Sequence, residues 1–232
     1  MKLQFRSLLL GLLFTFGSAS FGFAAWQQPP EQFTNTGQGS NQDVASDANG
    51  HALAVFIESP SGPVQASYYT NGAWGTPQTL GTGQVDKSLV AMDATGTGLA
   101  IWNEIVSKTV QTAFFNGTTW VTPTPNPLDS LTTGSLNGDA ISMNGLGQGA
   151  ALWIDSFTGN VRSSFFSSGS WTTPVTIDSG GTALVSPSIS YSANGTAVAA
   201  WLSFSMVNLV TVSNFDGVSW QAPIILGPAL TF

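Results

Sequence analysis

The chain has 232 residues, 42% hydrophobic and 7% charged, with 26 Gly, 8 Trp and no Cys. Its even spread of apolar residues excludes a disordered chain, and 5 Lys and Arg against 12 Asp and Glu argue against a nucleic-acid partner. Without cysteine there is neither a disulfide framework nor a thiolate metal site.

In chain order, the first element is a targeting segment. Residues 1–25 join a short basic start (Lys2, Arg6), an apolar run over 8–16 and small residues such as Ala19 and Ala24 at which cleavage could occur. That layout is a secretory signal peptide, and its apolar run is too short to span a bilayer stably. The chain is therefore expected to be secreted, periplasmic or displayed at the cell surface.

Residues 26–232 make one domain built from a repeat. Asp47-Ala-Asn-Gly50 precedes Phe56 by the same interval at which Gly96 precedes Trp102, Gly147 precedes Trp153 and Gly195 precedes Trp201. A second series, Trp26, Trp74, Trp120, Trp171 and Trp220, is spaced by 48, 46, 51 and 49 residues, each Trp having Pro three places later. A third, Val64, Val110, Val161 and Leu209, falls eight residues after each aromatic of the first series. A period of this length calls for a propeller, a solenoid or an array.

Each unit reads as four strands. A short alternating strand turns at the Asp/Asn/Ser-x-x-Gly sequence into a second strand, apolar on both faces, with Ala52, Ala54 and Phe56 opposite Leu53 and Val55. A third strand ends at pairs such as Asn71-Gly72 and Asn116-Gly117. The fourth opens at the landmark Trp, and its proline assigns it to the sheet edge. The expected fold is all-β: a β-propeller of four four-stranded antiparallel blades, at about 41–80, 87–127, 137–177 and 185–226. Trp26–Phe33 is an extra N-terminal strand of the fourth type, which leaves open whether one chain closes the ring. From landmark Trp to turn Gly the interval is 24, 22, 27 and 24 residues, so variation gathers in the blade connections, on the face where binding is expected.

On these residues the chain resembles the secreted bacterial β-propeller repeats grouped near the sialidases and the fucose lectins. The resemblance implies the propeller fold. The sialidase Asp-box is absent, since Ser213-Asn-Phe-Asp216-Gly217-Val-Ser-Trp220 has the wrong spacing. Sialidase-like chemistry would ask for three arginines, and beyond residue 25 the chain has Arg162 alone.

Candidate site residues are few. Glu58, Glu104 and Asp155 each stand two residues past the repeat's aromatic, with Ser203 in the fourth unit. Pseudo-symmetry places them on the connection face, as ligand-binding carboxylates, as a seat for Ca2+, as a glycosidase pair, or as solvated strand ends. His51, the single histidine, has no partner at catalytic spacing. No catalytic residue and no cofactor other than Ca2+ is indicated. The expectation is a non-catalytic module binding a glycan or a protein through one loop face. The alternatives are a glycoside hydrolase using Glu58, Glu104 and Asp155, and a surface protein that assembles as a homo-oligomer through unclosed repeats. An outer-membrane barrel fits poorly, because the second strands are apolar on both faces.

Overall fold

The computed structural model describes residues 39–58, 61–179 and 183–228. The signal peptide and the Trp26–Phe33 strand expected from sequence lie outside them. The described residues form strands and turns without a helix, so none is long and apolar enough to cross a membrane.

Four antiparallel sheets succeed one another along the chain. The first contains β1 (Gly39–Ser46), β2 (Ala52–Glu58), β3 (Val64–Thr70), β4 (Ala73–Trp74) and β5 (Gln78–Gly81). The second contains β6 (Val85–Met92), β7 (Gly98–Glu104), β8 (Thr109–Phe115), β9 (Trp120–Val121) and β10 (Asp129–Ser130). The third contains β11 (Leu136–Met143), β12 (Gly149–Asp155), β13 (Val161–Ser167), β14 (Ser170–Trp171) and β15 (Val175–Asp178). The fourth contains β16 (Ala183–Tyr191), β17 (Ala197–Ser205), β18 (Val207–Phe215) and β19 (Ile224–Pro228).

In the first three sheets the outermost strand is split into two short pieces, both paired with the third strand. Pro77, Pro123 and Pro174 fall in the breaks. A residue with no N–H to donate sits there without costing a ladder bond. The first-to-second strand turns also have a local cause. Asp47, Asp93 and Asn144 each accept backbone N–H bonds from two and four residues on. Gly50, Gly96, Gly147 and Gly195 take φ of +86°, +85°, +74° and +83°, a region that disfavours any Cβ.

The core lies between sheets. Leu53, Val55 and Ile57 of β2 pack against Ala100, Trp102 and Val90 of the second sheet. Leu99 and Ile101 of β7 pack against Ala151 and Trp153. Ala150, Leu152 and Ile154 of β12 pack against Ala199 and Trp201. Each joint therefore sets an aliphatic face against a small-plus-aromatic one. Small residues are needed here because a Cβ on Gly98 would lie 2.2 Å from Leu53 Cδ1, and one on Gly149 2.2 Å from Leu99 Cδ1.

One sequence expectation needs correction. Val64, Val110 and Val161 pair with Ile57, Asn103 and Ile154, but the residue paired with Leu202 at the matching place is Val210, not Leu209. The β17–β18 hairpin runs on to Ser205 and Val207 around Met206, and this shifts the register by one.

Candidate functional site

The three carboxylates singled out from sequence stand at equivalent strand ends, yet each is engaged differently. Glu58 accepts a bond from Gln65 Nε2 (3.3 Å). Glu104 accepts one from Ser107 Oγ (2.9 Å) and packs beneath Gly83, where a Cβ would lie 2.6 Å from its carboxyl carbon. Asp155 is buried and accepts backbone N–H bonds from Thr132 (3.0 Å), Phe157 (2.9 Å) and Thr158 (3.0 Å). Burial works against ionisation of Asp155, but these donors outweigh it and hold its pKa below the ordinary carboxylate value. At the fourth position Ser203 Oγ bonds Thr211 Oγ1 (2.6 Å). Among the described residues no three or more His, Cys, Asp or Glu side chains gather as a metal site requires.

The other polar candidates serve turns and joints. His51 Nδ1 lies 2.8 Å from Asp47 Oδ2. Although burial opposes it, the bonds from His51 and Asn49 lower the Asp47 pKa to about 2. Arg162 Nη1 binds both carboxylate oxygens of Asp129 at 2.5 and 2.6 Å. Asp129 in turn accepts the indole N–H of Trp153 (2.9 Å), and Asp178 accepts that of Trp201 (3.2 Å). Sequence reading missed both aspartates, because Asp129 lies nine residues past its landmark Trp and Asp178 seven. Only the paired strands β10 and β15 make the two equivalent.

A site of different character is built from the adjacent aromatic pairs. Period-two alternation turns the two rings of each pair to opposite faces, so every joint acquires a ring from each sheet. Tyr68 meets Phe115 at 4.8 Å, Phe114 meets Phe166 at 4.9 Å and Phe165 meets Phe215 at 4.2 Å between centroids. The landmark Trp joins each group, as Trp120 against Phe115, Trp171 against Phe166 and Trp220 against Phe215. In the second joint Phe166 and Trp171 are buried, whereas at the third Phe165, Phe215 and Trp220 remain half-exposed.

That third joint opens as a cleft of about 430 Å³. Trp220 stacks on Phe165 (6.0 Å, 25°) and is fixed by its indole N–H, which donates to Ser163 Oγ (2.9 Å). Thr172, Thr173 and Thr176 of the third sheet also line the cleft. Thr172 Oγ1 accepts the N–H of Phe165 (3.0 Å). No lining residue is ionisable. Aromatic faces beside neutral hydroxyls suit an uncharged polyhydroxylated ligand, whose C–H face packs on rings while its hydroxyls exchange hydrogen bonds.

No family model matches the chain, and no curated protein matches it in sequence. Among solved structures it is similar to the Aleuria aurantia lectin in complex with alpha-methyl-L-fucoside, at 13% identity and a TM-score of 0.59 over 82% of this chain and 63% of that one. AofleA from Arthrobotrys oligospora is similar at 11% identity and 0.58, over 82% and 57%. SapL1 lectin in complex with alpha methyl fucoside is similar at 14% and 0.52, over 81% and 63%. The chain thus spans about three fifths of the length of these structures. The Aleuria lectin is described as a six-bladed β-propeller. What this chain shares with these lectin structures is the β-propeller fold.

Proposed function

We propose that the protein is a secreted, non-catalytic carbohydrate-binding module of four blades, which seats a neutral sugar in the cleft between its third and fourth sheets. The observation that carries this reading is the Phe165–Phe215–Trp220 group lining one cleft with Thr172, Thr173 and Thr176. Its lining lacks any carboxylate, which suits retention of a sugar rather than acid–base cleavage of one. The lectin neighbours support the class of ligand, and the N-terminal segment supports export.

A glycan array probed with the purified chain, with and without Ca2+, tests the reading. Binding of a neutral glycan is expected, weakened about tenfold or more by Trp220→Ala and measurably by Thr176→Val, which leaves the aromatic group in place. An array without signal, or glycan binding indifferent to both substitutions, would remove the cleft from consideration.

A further inference from the structure

We propose that the sugar seated between the third and fourth sheets is an N-acetylhexosamine, whose acetamido carbonyl accepts the backbone N–H of Trp220. This rests on the sugar reading of that cleft and names the group by which the sugar is held. The ground for it is the second joint, where the chain fills the equivalent place with a residue of its own.

The fourth strand opens in the same way in the third and fourth sheets. Thr172 N–H donates to the Phe165 carbonyl and Gln221 N–H to the Asn214 carbonyl, both at 2.8 Å, while Trp171 pairs with Phe166 and Trp220 with Phe215. Main-chain groups alternate in direction along a strand, so the N–H of each of these tryptophans points away from its own sheet. Trp171 N–H donates to the carbonyl of Thr124, in the segment between β9 and β10, at 2.7 Å. Beside that bond Thr124 Oγ1 lies 3.2 Å from Ser170 Oγ. At the third joint no acceptor among the described residues meets Trp220 N–H. Ser219, at the place of Ser170, lines the cleft next to it.

The difference has its cause in the sequence. Trp74 precedes Leu80, Trp171 precedes Ile177 and Trp220 precedes Leu226 by six residues, but Trp120 precedes Leu128 by eight. The two added residues let Thr124 leave its ladder and bridge Ser170 across the joint, and Asn126 Oδ1 accepts the Thr112 N–H (3.2 Å) in its stead. In the third sheet the residue after the proline, Val175, stays in the ladder opposite Ser163 and does not reach Trp220.

The self-contact at the second joint shows which groups such a place takes: one amide carbonyl on the Trp N–H and one hydroxyl beside the Ser. It is not strand addition, which uses a run of main-chain bonds. Thr124 stands between Pro123 and Pro125, neither of which has an N–H, and its bridge to Ser170 is isolated. On the other side Pro223 interrupts the edge that begins at Trp220. A contact this short fits one sugar ring. On a neutral sugar the group with an amide carbonyl is the acetamido substituent, and its methyl adds an apolar contact to a lining that holds Phe215, Val218 and Trp220. A free amino sugar would bring an ammonium to a cleft whose lining has no carboxylate. A sugar without the carbonyl would cover Trp220 N–H and leave it unbonded, which costs affinity.

The experiment is a titration of the 15N-labelled chain with N-acetylglucosamine and glucose, and with N-acetylgalactosamine and galactose, followed through backbone amide resonances. At least one acetylated sugar is expected to bind about tenfold or more tighter than its parent, from the hydrogen bond and the added methyl together. It should move the Trp220 amide and leave that of Trp171 in place. Replacing Val175-Thr176 by Thr-Pro-Asn-Pro, the sequence at 124–127, should fill the cleft and remove binding. Ser219→Ala, which keeps the backbone as it is, should weaken binding about twofold or more and does not depend on the graft folding. Acetylated and parent sugars bound alike, both lost in Trp220→Ala, would overturn the acetamido assignment and leave the sugar reading standing. No binding of any neutral sugar would overturn both. A Trp220 amide unmoved by a bound acetylated sugar, or tighter binding of the peptide Pro-Thr-Pro-Asn-Pro than of any of the four sugars, would also overturn the assignment.

Discussion

The joint between the first and second sheets and the joint between the second and third are the same packing with different polar closure. In both, an aliphatic face is pressed on a buried tryptophan, Trp102 in one and Trp153 in the other. At the second joint Asp129 takes the indole N–H and is itself held by Arg162. At the first the equivalent residue is Gly81, and Trp102 Nε1 has no partner among the described residues. A Cβ on Gly81 would lie 2.9 Å from that nitrogen, so the glycine lets the ring seat closely but gives it no acceptor. The first joint exists without the hydrogen bond, so burial and close packing hold the sheets together and the polar link is an addition.

The largest expected effect tests that ranking. Trp153→Ala and Trp102→Ala should each destabilise by about 3–5 kcal/mol in urea unfolding, the range for emptying a large buried aromatic site. They should differ by no more than about 1.5–3 kcal/mol, the net worth of a hydrogen bond to a charged group. A Trp102→Ala cost near zero would show that the indole–aspartate link, rather than packing, carries the joint.

Next in size is the carboxylate that ties the longer connection of the second joint. Asp155→Ala should cost about 1–3 kcal/mol at neutral pH, since three backbone N–H groups lose their acceptor. The Asp155 pKa is lowered in the fold, so its contribution is present above the unfolded value of 3.8 and is lost as pH falls through the folded value. The buried Asp139, bound to Lys87 at 2.6 Å, works the other way. Burial raises its pKa despite the lysine, so it favours the fold at low pH and its ionisation takes stability away as pH rises above about 3.8. Melting curves between pH 3 and pH 7 separate the two. Asp155→Asn should lessen the fall on acidification, and Asp139→Asn should lessen the fall on raising pH.

How far the sequence exposes this architecture depends on what each residue has to do alone. Glycines at the strand-one turns, alternating strands and prolines at the outer edge are local requirements, and they mark four repeated sheets in the order of residues alone. The longer interval between Trp120 and Gly147 is legible as variation, but its use is not. Its residues bring Leu128, Leu131, Asp129 and Thr132 into the second joint, where partners come from β12 and β13. The carboxylates share an equivalent spacing, which fixes a place in the strand but not the donors around it. The cleft is hidden for a related reason: Phe165, Phe215 and Trp220 look like every other aromatic of the repeat, and only the packing leaves this group half-exposed.

The smallest effect is the sharpest test of the comparison, because the same substitution is expected to cost clearly at one joint and close to nothing at the other. Trp153→Phe removes a donor from Asp129 while leaving Arg162 in place, and should cost about 1–3 kcal/mol through the lost bond and the smaller ring. Trp102→Phe loses similar volume but also deletes a buried N–H that has no partner among the described residues, and relieving that group offsets about 1–3 kcal/mol. The net change at Trp102 should therefore lie within about 1 kcal/mol of zero and on the stabilising side of Trp153→Phe. Urea midpoints for the two variants read the difference directly, provided the slopes stay equal. Equal losses at both positions would mean that Trp102 Nε1 is satisfied in solution, and the two joints would then be closed alike.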